Sequence, residues 1–137
     1  MAALTNYLEN KLIDYIFQNT AFTSPATLYV ALFTAVTDGE AGTVTEVATG
    51  SYARVAVTAS VSNWSDATGN NGTTANVNTV TFPTATVDWG TVTHFGIYDA
   101  PTAGNLLIYA ALTASRNITT GSTPSFAASA LTIQLDN

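Results

Sequence analysis

The sequence predicts a mainly β fold: an antiparallel β-sandwich or jelly-roll-like domain with one N-terminal α-helix. Three observations carry that prediction. Strand-like runs recur roughly every ten residues beyond residue 27, and Gly, Asp and Pro turn signals separate them. A helical apolar period occurs once, near the N-terminus. The 137 residues, 47% of them hydrophobic, suffice for one domain with a substantial core. No internal repeat or linker divides the chain, so residues 1–137 read as a single domain.

The helix is expected over about residues 6–18. Thr5 or Asn6 can cap its start, and Asn6 with Glu9 has capping-box spacing. Leu8, Leu12, Tyr15 and Ile16 follow the helical period, while Ile13 and Phe17 widen the stripe. The stripe is expected to lay one face of the helix on the domain core. Tyr7 and Asn10 lie off it and are candidates for touching a neighbouring subunit.

The strands follow in order. Leu28 to Thr34 is apolar at every second position on both faces, as in a central strand covered on both sides. Arg54 to Val61 alternates, with Val55, Val57, Ala59 and Val61 facing one way. Asn76 to Phe82, Val92 to Tyr98, Leu106 to Leu112 and Leu131 to Leu135 are four further strands; Thr43 to Val47 and Arg116 to Thr120 give weaker signals. Turns are marked by Asp38-Gly39, Thr49-Gly50, Gly69 to Gly72, Ala103-Gly104-Asn105 and Gly121 to Pro124. Two polar loops, Asp38 to Thr45 and Trp64 to Asn76, are solvated connections or reach across to neighbouring subunits. In the second, Trp64, Asp66 and Asn70 join Tyr7 and Asn10 as candidate subunit-interface residues.

Composition excludes several classes of function. Charged residues make up 9% of the chain, against roughly 25% in typical soluble domains. Three basic residues, Lys11, Arg54 and Arg116, face nine acidic ones, for a net charge of -6. Neither nucleic acid nor an anionic membrane is an expected partner, because both call for clustered Lys and Arg. Thr, Ser and Asn fill about a third of the chain and supply neutral polarity in place of charge. Residues 1–10 show no basic stretch followed by an apolar core, so no signal peptide is expected there. No apolar run approaches the roughly 20 residues that span a bilayer.

Catalytic chemistry finds little footing. The single His94 stands in a strand between Thr93 and Phe95, where a hydrogen-bonded sheet histidine or an interface histidine is expected. No G-x-S-x-G elbow, Walker sequence or dinucleotide glycine motif is present. With one His and no Cys, a zinc site is not expected. Asp66, Asn70 and Asn71 are too loosely spaced for an EF-hand calcium loop. No catalytic residue, metal or cofactor is expected. Trp64 and Trp89 are read as core or subunit-interface residues, with sugar stacking as the alternative.

A resemblance adds to this reading. LTNYLENKLIDYIF and PATLYVALFTA, then SYARVAVT, FPTATVDWGTVTHFGIYDA, GNLLIYAALT and FAASALTIQLD, occur in the order found in a family of small virion proteins. The family belongs to tailed bacteriophages and prophages, and its members are usually labelled phage tail fibre or structural protein. The resemblance spans nearly the whole chain, is most specific over residues 82–100, and implies a compact β-domain with an N-terminal helix. It carries over no catalytic residue. It implies a virion protein assembled in the host cytoplasm, in contact with the major capsid protein or other virion proteins. Many short strands with few charges invite edge pairing, so a closed homo-oligomer is expected, with a trimer as the first expectation. The small size favours head decoration (a cement protein that binds and stabilises the assembled capsid). A tail-associated or tail-fibre protein is the alternative, and a carbohydrate-binding module for host attachment a further one.

Overall fold

A computed structural model describes residues 2–69 and 71–135. Its elements are β1 (Ala3–Leu4), α1 (Asn6–Phe17), β2 (Thr27–Asp38), β3 (Thr43–Glu46), β4 (Val55–Thr58), β5 (Thr73–Ala75), β6 (Val80–Thr81), β7 (Gly90–Tyr98), β8 (Leu106–Ile118), β9 (Ser125–Phe126) and β10 (Thr132–Gln134). Among the described residues the fold is mainly β with one helix, and every strand pair is antiparallel. Six strands form the main sheet in the order β1-β8-β7-β2-β3, with β4 pairing a different stretch of β2. Two small sheets, β5 with β10 and β6 with β9, complete a sandwich-like arrangement. Among the described residues, no helix is long and apolar enough to cross a membrane.

The centre of the sheet follows from its sequence. Val30 to Phe33 are 0–3% exposed, because β2 is covered on both faces. Val30 and Leu32 enter the larger core, with Phe95 and Ile97 opposite them on β7 and Phe82 and Leu131 from beyond the sheet. Phe126 of β9 stands edge-on to Phe95 at 5.6 Å, which ties a small sheet to the large one. On the other face, Ala31, Phe33, Tyr98 and Leu106 form a smaller cluster. The β2–β3 hairpin bends over it, so that Gly39 lies against the ring of Tyr109. Gly96 is required at the heart of the sheet: a Cβ there would stand 2.5 Å from the Phe33 ring.

Several strands differ from expectation for identifiable reasons. Leu106 to Leu112 and Arg116 to Thr120 are one strand as far as Ile118, because β8 absorbs extra residues against β7. The pairing jumps from His94↔Ala111 to Val92↔Arg116, leaving Leu112 to Ser115 as a bulge beside Thr93. The strand expected to run to Val61 stops at Thr58, where Asn63 Nδ2 donates to the Thr58 carbonyl and a turn begins at Ser60; Val61 is 81% exposed. Of Asn76 to Phe82 only Val80–Thr81 is strand, since the Asn76 side chain binds a different segment. The polar loop from Trp64 to Asn76 hides a short hairpin, with bridges Trp64↔Asn76 and Thr68↔Thr73 and strand β5.

The helix corrects the sequence reading most. It does form over Asn6–Phe17, but it buries no residue and lays no face on the core. Ile13 is 53% exposed, Tyr15 55%, Ile16 65% and Phe17 77%. Its attachment explains this. Thr5, the residue before the helix, makes no side-chain cap; its hydroxyl donates to the Leu106 and Leu107 carbonyls of β8, and Asn6 N–H donates to the Glu40 carbonyl. The start is thereby pinned between the sheet edge and the β2–β3 turn. At 100° per residue, Ile13, Ile16 and Phe17 share an arc roughly 100° wide, opposite the half-buried Tyr7, Leu8, Lys11 and Leu12.

Candidate interaction surface

The first element of the surface is that apolar arc. Fully burying an Ile or Phe side chain stabilises by about 1.5–3 kcal/mol. At the exposures of Ile13, Ile16 and Phe17, most of that gain is left unrealised within the chain. Glu9 lies in the same arc, while Lys11, on the opposite side, sits 5.8 Å over the ring of Tyr7. The chain continues from the helix through the exposed residues 18–21 before it returns to the sheet at Thr27.

The second element is a groove of about 260 Å³ between β8 and the stretch 124–130 that contains β9. Leu112, Pro124 and Phe126 give it an apolar wall, and Ala111, Ala114 and Arg116 stand at the β8 side. Strand alternation puts Leu112 on the same face as Ile108 and Ala110, and both Leu112 and Phe126 are half-buried against the larger core. Arg116 is exposed and has no carboxylate partner among the described residues.

A second hollow, of about 380 Å³, is polar and includes Thr5, Tyr7, Glu40, Arg54 and Asn105. Its cation is already committed. Arg54 donates from Nε to Glu46 Oε1 at 2.8 Å, from Nη2 to Glu46 Oε2 at 2.7 Å, and from Nη1 to the Ala100 and Ala103 carbonyls. The guanidinium lies 3.4 Å above the Tyr98 ring. Burial by itself disfavours the charged guanidinium, but the Glu46 bonds outweigh it and raise the Arg54 pKa. Tyr52 donates to Glu46 Oε1 and accepts the Leu32 N–H, and burial pushes its phenol far above the ordinary tyrosine value. This network staples β2, β3 and the 100–103 turn together and leaves no activated group.

The sequence candidates fall in separate places. Tyr7 lines the polar hollow and Asn10 is exposed on α1, which touches β1 and β8. Trp64 is half-buried against the larger core and Asp66 is exposed in the hairpin beyond it; Asn70 lies outside the described residues. The structure therefore pairs Tyr7 with Lys11 but does not gather the five candidates into one patch. Trp89 is 5% exposed, and among the described residues neither indole N–H has an acceptor. Trp89 is a core residue, and Trp64 is half-buried against the same core. His94 Nδ1 is 2.8 Å from Thr93 Oγ1, and burial lowers its pKa. Among the described residues, no three His, Cys, Asp or Glu side chains are grouped to hold a metal. Sequence reasoning missed the exposed arc and the groove. The signal for the arc was present in the width of the stripe, which Ile13 and Phe17 extend beyond one buried face.

The model of a family described as Podophage GP4 fiber I protein gp80 matches residues 3–134. No curated protein matches the chain.

Proposed function

The chain belongs to the podophage fibre I protein gp80 family, a family of phage virion structural proteins, and from that membership we propose that it is a building block of the tail fibre apparatus. It works by assembly: copies associate with one another, as a trimer in the simplest arrangement, and join other virion proteins in the host cytoplasm. The role is structural and non-catalytic. The observation that carries this reading is the family match across residues 3–134, which spans all the β elements. The exposed arc of α1 supports it, since monomeric proteins rarely leave contiguous large apolar side chains in water. A net charge of -6 keeps free copies apart until a specific site is offered.

Head decoration rests on size alone, and no feature of the surface favours it over a fibre. Quantitative gel analysis of purified virions tests the proposal. A fibre building block is present at the level of other tail proteins. A copy number matching the major capsid protein overturns the fibre reading in favour of the head.

A further inference from the structure

We propose that the exposed end of α1 in one copy seats in the β8 groove of a second copy, and that this contact builds the homo-oligomer. The inference rests on the structural reading above and gives it a geometry. Ile13, Ile16 and Phe17 have the i, i+3, i+4 spacing of a helix that anchors in an apolar groove. The Leu112, Pro124 and Phe126 wall offers the complementary surface. At about 260 Å³ the groove falls below the roughly 300–1,000 Å³ of small-molecule sites, and suits a pair of inserted side chains.

Charge selects the same occupant. The charged side chain of the groove is Arg116, which has no carboxylate partner among the described residues. The charged side chain within the apolar arc of the helix is Glu9. A second copy thus brings an anion to the cation and an apolar ridge to the apolar wall. Phe17 is 77% exposed in its own chain, so its own groove does not hold it. Each copy carries both surfaces, so two copies close reciprocally about a two-fold, while a head-to-tail contact closes into a trimer or larger ring when the rotation per copy divides a full turn. The β8 bulge has a role in this geometry: it widens the strand edge beside the groove and discourages a strand from pairing there.

The chain contains no cysteine, so introduced thiols report without background. Phe17→Cys protein is mixed with Ala114→Cys protein and treated with a short bis-maleimide. The expected product is a dimer containing one copy of each. Phe17→Cys mixed with Val61→Cys, at an exposed site outside the groove lining, stays unlinked. In light scattering, the Ile16→Ser/Phe17→Ser variant runs as a monomer with an unchanged circular dichroism spectrum. Glu9→Arg weakens assembly, and adding Arg116→Glu restores it. An oligomer that survives the double Ser variant and gives no 17–114 product overturns the docking and leaves the fibre reading standing. A chain that is monomeric at every concentration also overturns the docking, while copy number per virion decides the fibre reading separately.

Discussion

Asn76 and Leu131 are locked together twice: Asn76 Oδ1 accepts the Leu131 N–H at 2.8 Å, and the Asn76 N–H donates to the Leu131 carbonyl at 3.3 Å. Asn76 Nδ2 donates to the carbonyls of Asn78 and Ala127, so every polar atom of this 1% exposed side chain is satisfied. One residue thus ties the end of the 64–76 hairpin to the segment that delivers Leu131 into the core. Asn76→Ala strands a buried N–H and two carbonyls, at a cost of about 3 kcal/mol read from urea unfolding. Asn76→Asp costs more, since a carboxylate then faces two carbonyl oxygens. A loss below 1 kcal/mol (roughly the net worth of one hydrogen bond) contradicts the clasp.

Arg54 makes a similar prediction for the other face of the sheet. Its side chain is 7% exposed and its partner Glu46 22%, so water screens the pair only in part. Arg54→Ala leaves Glu46 and two turn carbonyls without their donor, and the expected destabilisation is about 2–3 kcal/mol, at the low end for buried ion pairs. Arg54→Lys recovers little of it, because an ammonium cannot reproduce the two-pronged contact. Denaturant midpoints of the two variants that coincide within error match this account.

Acid sensitivity follows from Asp88. Its carboxylate accepts the Thr120 N–H at 2.7 Å and the Thr120 hydroxyl at 2.9 Å, and these bonds hold its pKa below the usual carboxylate range. A depressed acid means that the unfolded chain binds the proton more readily, so the contribution is present above the ordinary value near ~3.9 and is lost as pH falls through the folded value. Melting temperatures of the wild type and Asp88→Asn are expected to differ at neutral pH and to converge at strongly acidic pH. A constant difference across that window counts against the role of Thr120.

The helix end is predicted to be idle in the isolated chain. Phe17→Ser changes the unfolding free energy of the monomer by less than about 0.5 kcal/mol, as for an ordinary surface site. Phe82→Ala, at 2% exposure inside the aromatic cluster with Tyr52 and Phe126, costs about 3–5 kcal/mol. A large loss from Phe17→Ser shows that the helix end supports its own domain.

Much of this architecture is legible in the sequence, because short apolar runs, period-two alternation and turn residues act locally. The runs around Val30 to Phe33 and Val92 to Tyr98 became central strands for that reason. The bulge that fuses the two halves of β8 is not legible, since it depends on which residues face Thr93 across the sheet. Asn76 was hidden likewise: an amide that closes on a segment some fifty residues away gives no local signal. The helix shows a different limit. Periodicity identified its apolar residues correctly, yet it cannot say whether the partner of an apolar face lies in the same chain. Pinning by Thr5 and Asn6 decides that here, and it turns Phe17 outward.

The location of the protein on the virion tests the central claim most directly. Gold-labelled antibodies against the chain, applied to intact phage and imaged by electron microscopy, are predicted to mark the tail fibres. Label spread evenly over the head would contradict the account.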